Sequence, residues 1–365
     1  MNKSYLYSIC FLFLFIFISF PIFGNEKVEE KNIAEQNEHP KETFNVGAFI
    51  FDHIADHYSW HLFTYKHKHV AIPLPVILYS KNKGWNIFLS SKLNHEHIYN
   101  GFTIDIDGKY KGKIIEVNSE GAFIERPFDI SLTKNVASIL ISCIILVLVF
   151  VSVANTYKRR VDMPPKGLQS LLEIIIIFVR DDISKSSIGE KNSHKYTPYL
   201  LTIFFFILLN NLMGLIPIFP GGANITGNIT VTLTLALFTF IITTFSGNKN
   251  YWKHIFNAPG IPWWLKAPLP LIPLIELVSI FIKPFVLMVR LFANISAGHI
   301  IGLGFFSLIF IFGNMNTFAG YAVSPLSVMF TIFMSVLELL VAFIQAYVFT
   351  FLSALYFSMA IEEHH

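Results

Sequence analysis

The sequence predicts an all-α integral membrane protein of five spans, two of them long tilted antiparallel helices, behind a small N-terminal extramembrane α+β domain. Three observations predict it. The 365 residues are 53% hydrophobic and only 14% charged, against roughly a quarter charged in a soluble domain. The apolar residues fall in runs of about twenty or more, the length a helix needs to cross a bilayer. Between two apolar regions lies a stretch with soluble composition and short alternating runs, Phe44 to Phe128.

Lys3, an apolar run from Tyr5 to Phe23 and Gly24 have the layout of a secretory signal peptide over residues 1–24. An uncleaved span is the alternative. Residues 25–130 then form the extramembrane domain. It opens on a charged segment, Asn25 to Glu42, followed by helical spacing over Phe44 to Phe63, with Phe49, His53, Asp56 and Trp60 near one face. Short β-type runs follow at Val70–Tyr79, Trp85–Leu89, Phe102–Ile106 and Lys113–Val117, punctuated by Lys83-Gly84 and Asp107-Gly108.

Residues 131–365 are the membrane domain. Spans are expected at Val136–Ala154, Thr197–Pro217, Asn228–Ser246, Leu269–Phe312 (broken by Pro284 and glycines) and Pro325–Phe357. The last two would be about 60 and 50 Å long at 1.5 Å per residue, so they must tilt, bend or protrude from a core of about 30 Å. Pro164-Pro165 opens Leu168–Val179, too short to span comfortably and read as an interfacial or half-inserted helix hairpin on the cytoplasmic side; a cytoplasmic extension of the second span is the alternative.

Lys and Arg set the orientation. The loop after the first span carries Lys158, Arg159, Arg160, Lys166, Arg180, Lys185, Lys191 and Lys195, and the loop after the third carries Lys249, Lys253 and Lys266. The loops after the second and fourth spans carry none. The basic loops and the C-terminus are therefore expected in the cytoplasm, with the N-terminal domain outside.

Intramembrane charge points to the function. No charged residue lies between Lys195 and Lys249, and from Ala267 to Ile361 the ionisable groups, tyrosines apart, are Glu276, Lys283, Arg290, His299 and Glu338. An Arg in mid-membrane costs about 2.5–3.5 kcal/mol on insertion scales, so such residues mark ion paths by default; structural ion pairing between helices is the plainer reading. Glu276, Lys283 and Arg290 recur every seven residues, as do Glu338 and Gln345, so each set falls near one helical stripe. With the last two helices antiparallel and Arg290 level with Gln345, His299 lies roughly 13 Å and Glu338 roughly 10 Å away in the same direction. They meet at one depth, towards the outside, while Glu276 lies roughly 21 Å the other way. Histidine beside a carboxylate can relay protons near neutral pH. A guanidinium keeps its proton, so Arg290 can attract a carboxylate on a passing partner and still block a direct leak. Gln345 can hold the guanidinium, and Asn294 can line the same face.

Several runs resemble the subunit a family of F-type ATP synthases. They are Lys283-Pro284 with Arg290-Leu291-Phe292-Ala293-Asn294-Ile295-Ser296-Ala297-Gly298-His299, Leu337-Glu338 leading to Ile344-Gln345-Ala346-Tyr347-Val348-Phe349, Asn210-Asn211-Leu212-Met213-Gly214, and Asn228-Ile229-Thr230-Val231-Thr232. The C-terminal Tyr356-Phe357-Ser358-Met359-Ala360 also fits, and the likeness runs from about Phe128 to His365. It implies a proton-translocating stator subunit in a bacterial inner membrane. Its partners would be the rotor c-ring, the peripheral stalk subunit b, the other ATP synthase subunits and the lipid bilayer. It implies no nucleic acid, no cofactor and no catalytic chemistry of its own. Arg290 would face the rotor, Gln345 would neighbour it, and Glu276 would belong to the cytoplasmic half-channel. Lys283, Asn211 and Asn228 are further channel or interface candidates. Two departures stand out. The family often places a carboxylate where His299 stands and a histidine where Glu338 stands, so the pair is exchanged. Gly214 stands where some members have an acid.

Other readings weigh less. His53, His57 and His61, spaced by four, could share a helix face and bind zinc, though exposed histidines are the commoner case, and His67, His69, His95 and His97 invite the same caution. No metal site is expected. Ser296, Ala297, Gly298, Gly302 and Gly304 suit close helix approach. Asn224-Ile225-Thr226 and Asn228-Ile229-Thr230 match glycosylation sequons, without use in a bacterial membrane protein. Cys10 and Cys143 form no disulfide framework. A secondary transporter would show inverted repeats, and an intramembrane enzyme a Ser–His pair, paired Asp or HExxH; none is visible.

Overall fold

The computed structural model describes residues 46–47, 50, 54–65, 68–93, 98–106, 108–118, 121–160, 163–216, 218–256 and 271–362. The expected signal peptide, Asn25–Glu42, His53, His67, His95 and His97 lie outside these residues.

The N-terminal domain differs from expectation where short strands compete with a helix. The expected helix Phe44–Phe63 is helical at 46–47, 50 and 54, but its end is strand β1, Ser59–Tyr65, paired antiparallel with β2, Lys68–Pro73. Trp60, Phe63, Thr64 and Tyr65 suit a pleated surface better than a helix. The single run expected over Val70–Tyr79 is two strands, β2 and β3 (Pro75–Ser80). Pro73 and Pro75 have no amide hydrogen to continue a ladder, and Leu74 N–H donates instead to Ser90 Oγ at 3.1 Å.

β3 pairs antiparallel with β4, Gly84–Leu89, from Pro75 opposite Leu89 to Ser80 opposite Gly84, whose φ of +63° suits a glycine at that turn. β5 (Phe102–Ile104) pairs with β6 (Ile114–Val117), and β6 with β7 (Phe123–Glu125). β8, Phe128–Asp129, joins β3 to complete the order β4-β3-β8. Val76, Leu78, Phe88, Leu93, Phe102 and Ile114 fill the core between the sheets. Buried Glu116 sits among Ser80, which donates to it, and Lys83 at 3.6 Å. The carboxylate is thus compensated rather than stranded.

After β8 the chain stays on β3, with Ile130 N–H donating to Ile77 O and Leu132 N–H to Pro75 O. It then enters α1, Lys134–Arg159, at the N-cap Thr133. The domain grips this helix start. Asn135 N–H donates to Asp56 Oδ1 at 3.0 Å and Lys134 N–H to His57 O at 2.8 Å. The ring of Trp60 stands edge-on to Phe219, 5.0 Å between centroids. The extramembrane domain is thereby seated on the loop beyond the second span.

The membrane region continues with α2 (Leu168–Ile177), α3 (Glu190–Leu215), α4 (Ile229–Ser246), α5 (Lys249–Phe256), α6 (Leu271–Met315) and α7 (Thr317–Ile361). Among the described residues five helices, α1, α3, α4, α6 and α7, are long and apolar enough to cross a membrane. α2 runs on through a π-helical segment, Phe178–Lys185, and a turn, Ser186–Ile188, to Gly189 at φ +84°. It is thus a separate arm folded back on α3, tied by a 2.7 Å hydrogen bond between the Ser184 and Thr197 hydroxyls.

α6 and α7 have 45 residues each; α7 starts earlier and ends later than expected, and Pro284 does not break α6. In lipid a freed backbone group finds no water, so interrupting a helix costs more there than in a soluble protein. The two helices run antiparallel. At the turn Gly320 comes so near the Gly313 backbone that a Cβ would lie 2.8 Å from it. Further along Phe305 stacks on Phe330 at 5.1 Å. At the far end Lys283 Nζ lies 5.7 Å from the Tyr356 ring centroid.

Candidate ion path along the two long helices

The site is built on α6 and α7 and closed by α3 and α4. His299 Nδ1 lies 3.9 Å from Glu338 Oε1, both side chains less than a fifth exposed. The expected meeting across antiparallel helices is present in the geometry. Glu338 Oε1 is enclosed and accepts no hydrogen bond among the described residues. A buried carboxylate oxygen without a donor calls for water or a proton. Gly298 makes room for it, because a Cβ there would stand 2.9 Å from Glu338 Oε1 and 3.2 Å from its Cγ. On the other side of the histidine, a Cβ at Gly214 would lie 3.8 Å from His299 Nε2. An acid at 214 would therefore address the imidazole nitrogen that Glu338 does not.

α3 supplies two buried amides, of which Asn211 reaches α7 one turn beyond Glu338. Asn211 is buried; its Nδ2 donates to Ala342 O on α7 at 3.1 Å, and its Oδ1 accepts from the Thr226 hydroxyl at 2.6 Å. Asn210 Nδ2 donates to Phe206 O at 2.7 Å, leaving Oδ1 enclosed without a donor. Asn228 is spent on structure: its Oδ1 caps α4 by accepting from Thr230 N at 2.9 Å. The 224–226 sequon is folded inward, with Thr226 and Asn224 buried. Ser296 Oγ reaches Gly227 O at 3.4 Å and ties α6 to the same loop.

Counting nine residues from His299 towards the start of α6 reaches Arg290, and nine onward from Glu338 reaches Tyr347, both roughly 13 Å along the axis. Gln345 therefore stands within about a turn of the level of Arg290. Gln345 is buried, 4% exposed. Arg290, Ala293, Asn294 and Ala297 are exposed and recur at helical spacing, forming an open stripe. Among the described residues no carboxylate forms an ion pair with Arg290.

Towards the other end, half-buried Lys283 points across to Tyr356 and to Met359 Sδ at 3.9 Å. Half-buried Glu276 acts electrostatically on both Lys283 and Tyr251. Burial first, and the Glu276 carboxylate second, push the Tyr251 phenol up from its usual range. The structure thus brings His299 to Glu338, places Glu276 and Lys283 two turns apart on α6 within electrostatic reach, and leaves Arg290 and Asn294 exposed between the two groups.

No site role is read in the sequence for Thr226, Tyr251 or Tyr356. Thr226 was visible only as the end of a sequon. Tyr251 lies on a helix too short and polar to register as part of the membrane region. The helix face expected for His57 and His61 is not formed, since His61 lies in β1 and His57 just before it; His53 lies outside the described residues. Among the described residues no group of three or more His, Cys, Asp or Glu is placed to hold a metal.

Residues 136–358 match the family described as ATP synthase A chain, and residues 49–133 match a domain of unknown function (DUF8433). The ATP synthase subunit a of Chloroherpeton thalassium is 43% identical over 246 residues, covering 65% of this chain and 69% of the relative. The ATP synthase subunit a 2 of Chlorobaculum tepidum is 45% identical over 240 residues, 64% of each chain. The ATP synthase subunit a of Anaeromyxobacter sp. is 33% identical over 332 residues, 88% of this chain and 72% of the relative, an alignment that reaches into the N-terminal domain. The chain thus spans roughly two thirds of the length of these relatives. With the family match covering most of the chain and all five spans, this multi-pass membrane protein belongs to the ATP synthase A chain family.

Proposed function

We propose that the chain is the proton-translocating stator subunit of an F-type ATP synthase, offering two half-paths to a rotor c-ring and so coupling proton flow to rotation and ATP synthesis. The observation that carries this reading is Arg290, an exposed guanidinium near the middle of a 45-residue apolar helix with no carboxylate partner among the described residues. Such a charge is costly in lipid. A partner that presents a carboxylate at that depth removes the cost, and a rotor carboxylate does so once per step.

His299 and Glu338 form the outer half-path, with Asn211 and Gly214 beside them. Glu276 and Lys283 belong to the inner one. Arg290, steadied by Gln345 and flanked by Asn294, separates the two because it does not release its proton. The Lys/Arg distribution supports a cytoplasmic C-terminus and an N-terminal domain on the outer face of a bacterial inner membrane, reached after signal-peptide removal. The peripheral stalk subunit b and the remaining synthase subunits are the other partners. Mild-detergent purification of a tagged chain tests the assembly. It should bring down a small two-helix rotor protein together with ATPase subunits; a chain that purifies without either overturns the reading.

A further inference from the structure

At the end of the bundle away from the N-terminal domain, a cleft opens between α4, α5, α6 and α7, lined by Thr243, Thr244, Tyr251, Lys283, Leu287 and Tyr356. Tyr251 is held there by its neighbours. Asn248 N–H donates to Ala360 O and Asn248 Nδ2 to Glu362 O, each at 3.0 Å, fastening the start of α5 to the end of α7. Asn248 Oδ1 accepts from Tyr251 N at 2.8 Å. Gly247 leaves space for the ring, since a Cβ there would meet Tyr251 Cδ1 at 2.7 Å. Burial first, and the electrostatic influence of Glu276 second, hold the phenol of a tyrosine positioned this way in its protonated form.

The second observation is Thr244. Threonine hydroxyls in α-helices commonly turn back to the carbonyl four residues earlier, as Thr234 does to Thr230 O and Thr243 to Thr239 O, each at 2.7 Å. Thr244 Oγ1 is fully enclosed yet has no hydrogen-bond partner among the described residues. A buried hydroxyl left open at a cleft wall is a place for water or a migrating proton.

We propose that the phenol of Tyr251 and the hydroxyl of Thr244 pass protons between Glu276 and the cleft beside Lys283, completing the inner half-path below Arg290. This rests on the assignment above of Glu276 to that half-path. Each hydroxyl accepts a proton on its oxygen as it releases its own, so neither ends charged. Glu276 marks the entry and Lys283, roughly 10 Å nearer Arg290, marks the far wall. The ring of Tyr251 fills the mouth while its oxygen conducts.

The test uses the assembled synthase in inverted vesicles, reading ATP-driven proton pumping and, after removal of the catalytic head, passive proton conduction. Tyr251→Phe keeps the ring and removes the hydroxyl, and both rates should fall about a hundredfold. Tyr251→His, which again carries a proton, should recover much of the loss. Unchanged rates in an assembled Tyr251→Phe complex overturn the proposal, and so does equal loss in both variants, which would mark a packing role. Thr244→Cys provides an independent arm. Silver ion should slow conduction in this variant and leave the parent unaffected; insensitivity overturns the part assigned to Thr244. Arg290→Ala in the same vesicles separates the two readings: normal coupling there removes the stator assignment itself, whereas lost coupling beside a normal Tyr251→Phe removes only this relay.

Discussion

His299 Nδ1 and Glu338 Oε1 face each other at 3.9 Å across two helices that run in opposite directions. The pair is exchanged relative to the family pattern that the motifs resemble, yet the two positions remain in contact. A histidine and a carboxylate at one depth form a relay whichever helix bears which group. The double variant His299→Glu with Glu338→His is therefore expected to retain more proton flux than either single change. Passive conduction in stripped vesicles measures it, and a double variant no better than the worse single one refutes the pairing.

On the proposed reading, in which Arg290 is the counter-charge for a rotor carboxylate and the barrier between two half-paths, Arg290→Ala is expected to abolish coupled ATP synthesis and to raise passive proton leak. Arg290→Lys keeps a charge without the planar fork. It should also fail in synthesis, with less leak. Synthesis and permeability in inverted vesicles, with assembly checked by blot, decide; normal synthesis by an assembled Arg290→Ala complex sinks the mechanism.

Gly298→Ala places a methyl group 2.9 Å from Glu338 Oε1. Overpacking of this kind costs about 1–3 kcal/mol, and the carboxylate end of Glu338 is the part able to move. Flux through the His299 side should fall although the complex assembles. Gly304→Ala, with nothing within 4 Å of the new methyl, should behave as the parent. Equal flux in the two variants contradicts the geometry.

Asp56 ties the N-terminal domain to α1 through Asn135 N–H. Burial raises its carboxyl above the ordinary range. The folded domain therefore holds this proton to a higher pH than the unfolded chain, whose value is about 3.9. Its contribution to stability is present at acid pH and is lost as pH rises through the raised value. Asp56→Asn keeps an acceptor and should flatten this dependence; Asp56→Leu removes acceptor and titration together, so its cost, about 1 kcal/mol at acid pH as for a lost helix cap, should shrink as pH rises through the raised value. Proteolysis of the domain in the intact complex across pH 4–8 (about the span of carboxyl and histidine titration) reads both.

Orientation is tested separately. N-terminal sequencing of the purified chain is expected to begin after the signal segment, and a start at Met1 contradicts cleavage. Protease added to intact cells should spare the C-terminus.

The membrane half was largely legible in the sequence. α1, α3 and α4 follow their apolar runs because every backbone hydrogen bond of a span is made within the span. The His299–Glu338 meeting follows from helical rise and antiparallel direction once Arg290 is set level with Gln345. Residue type and interval determined these features. The tertiary structure decided what depends on partners far along the chain. Phe128 is strand because Tyr79 pairs with it, Trp60 is buried because Phe219 arrives beside it, and Asn211 is held by Thr226 and by Ala342. It also decided that α6 runs unbroken through Pro284, and that Gly247 and Gly298 are spaces kept for Tyr251 and Glu338. A short strand, an enclosed amide or a missing side chain acquires meaning only from the atoms packed against it, and local pattern does not name those atoms.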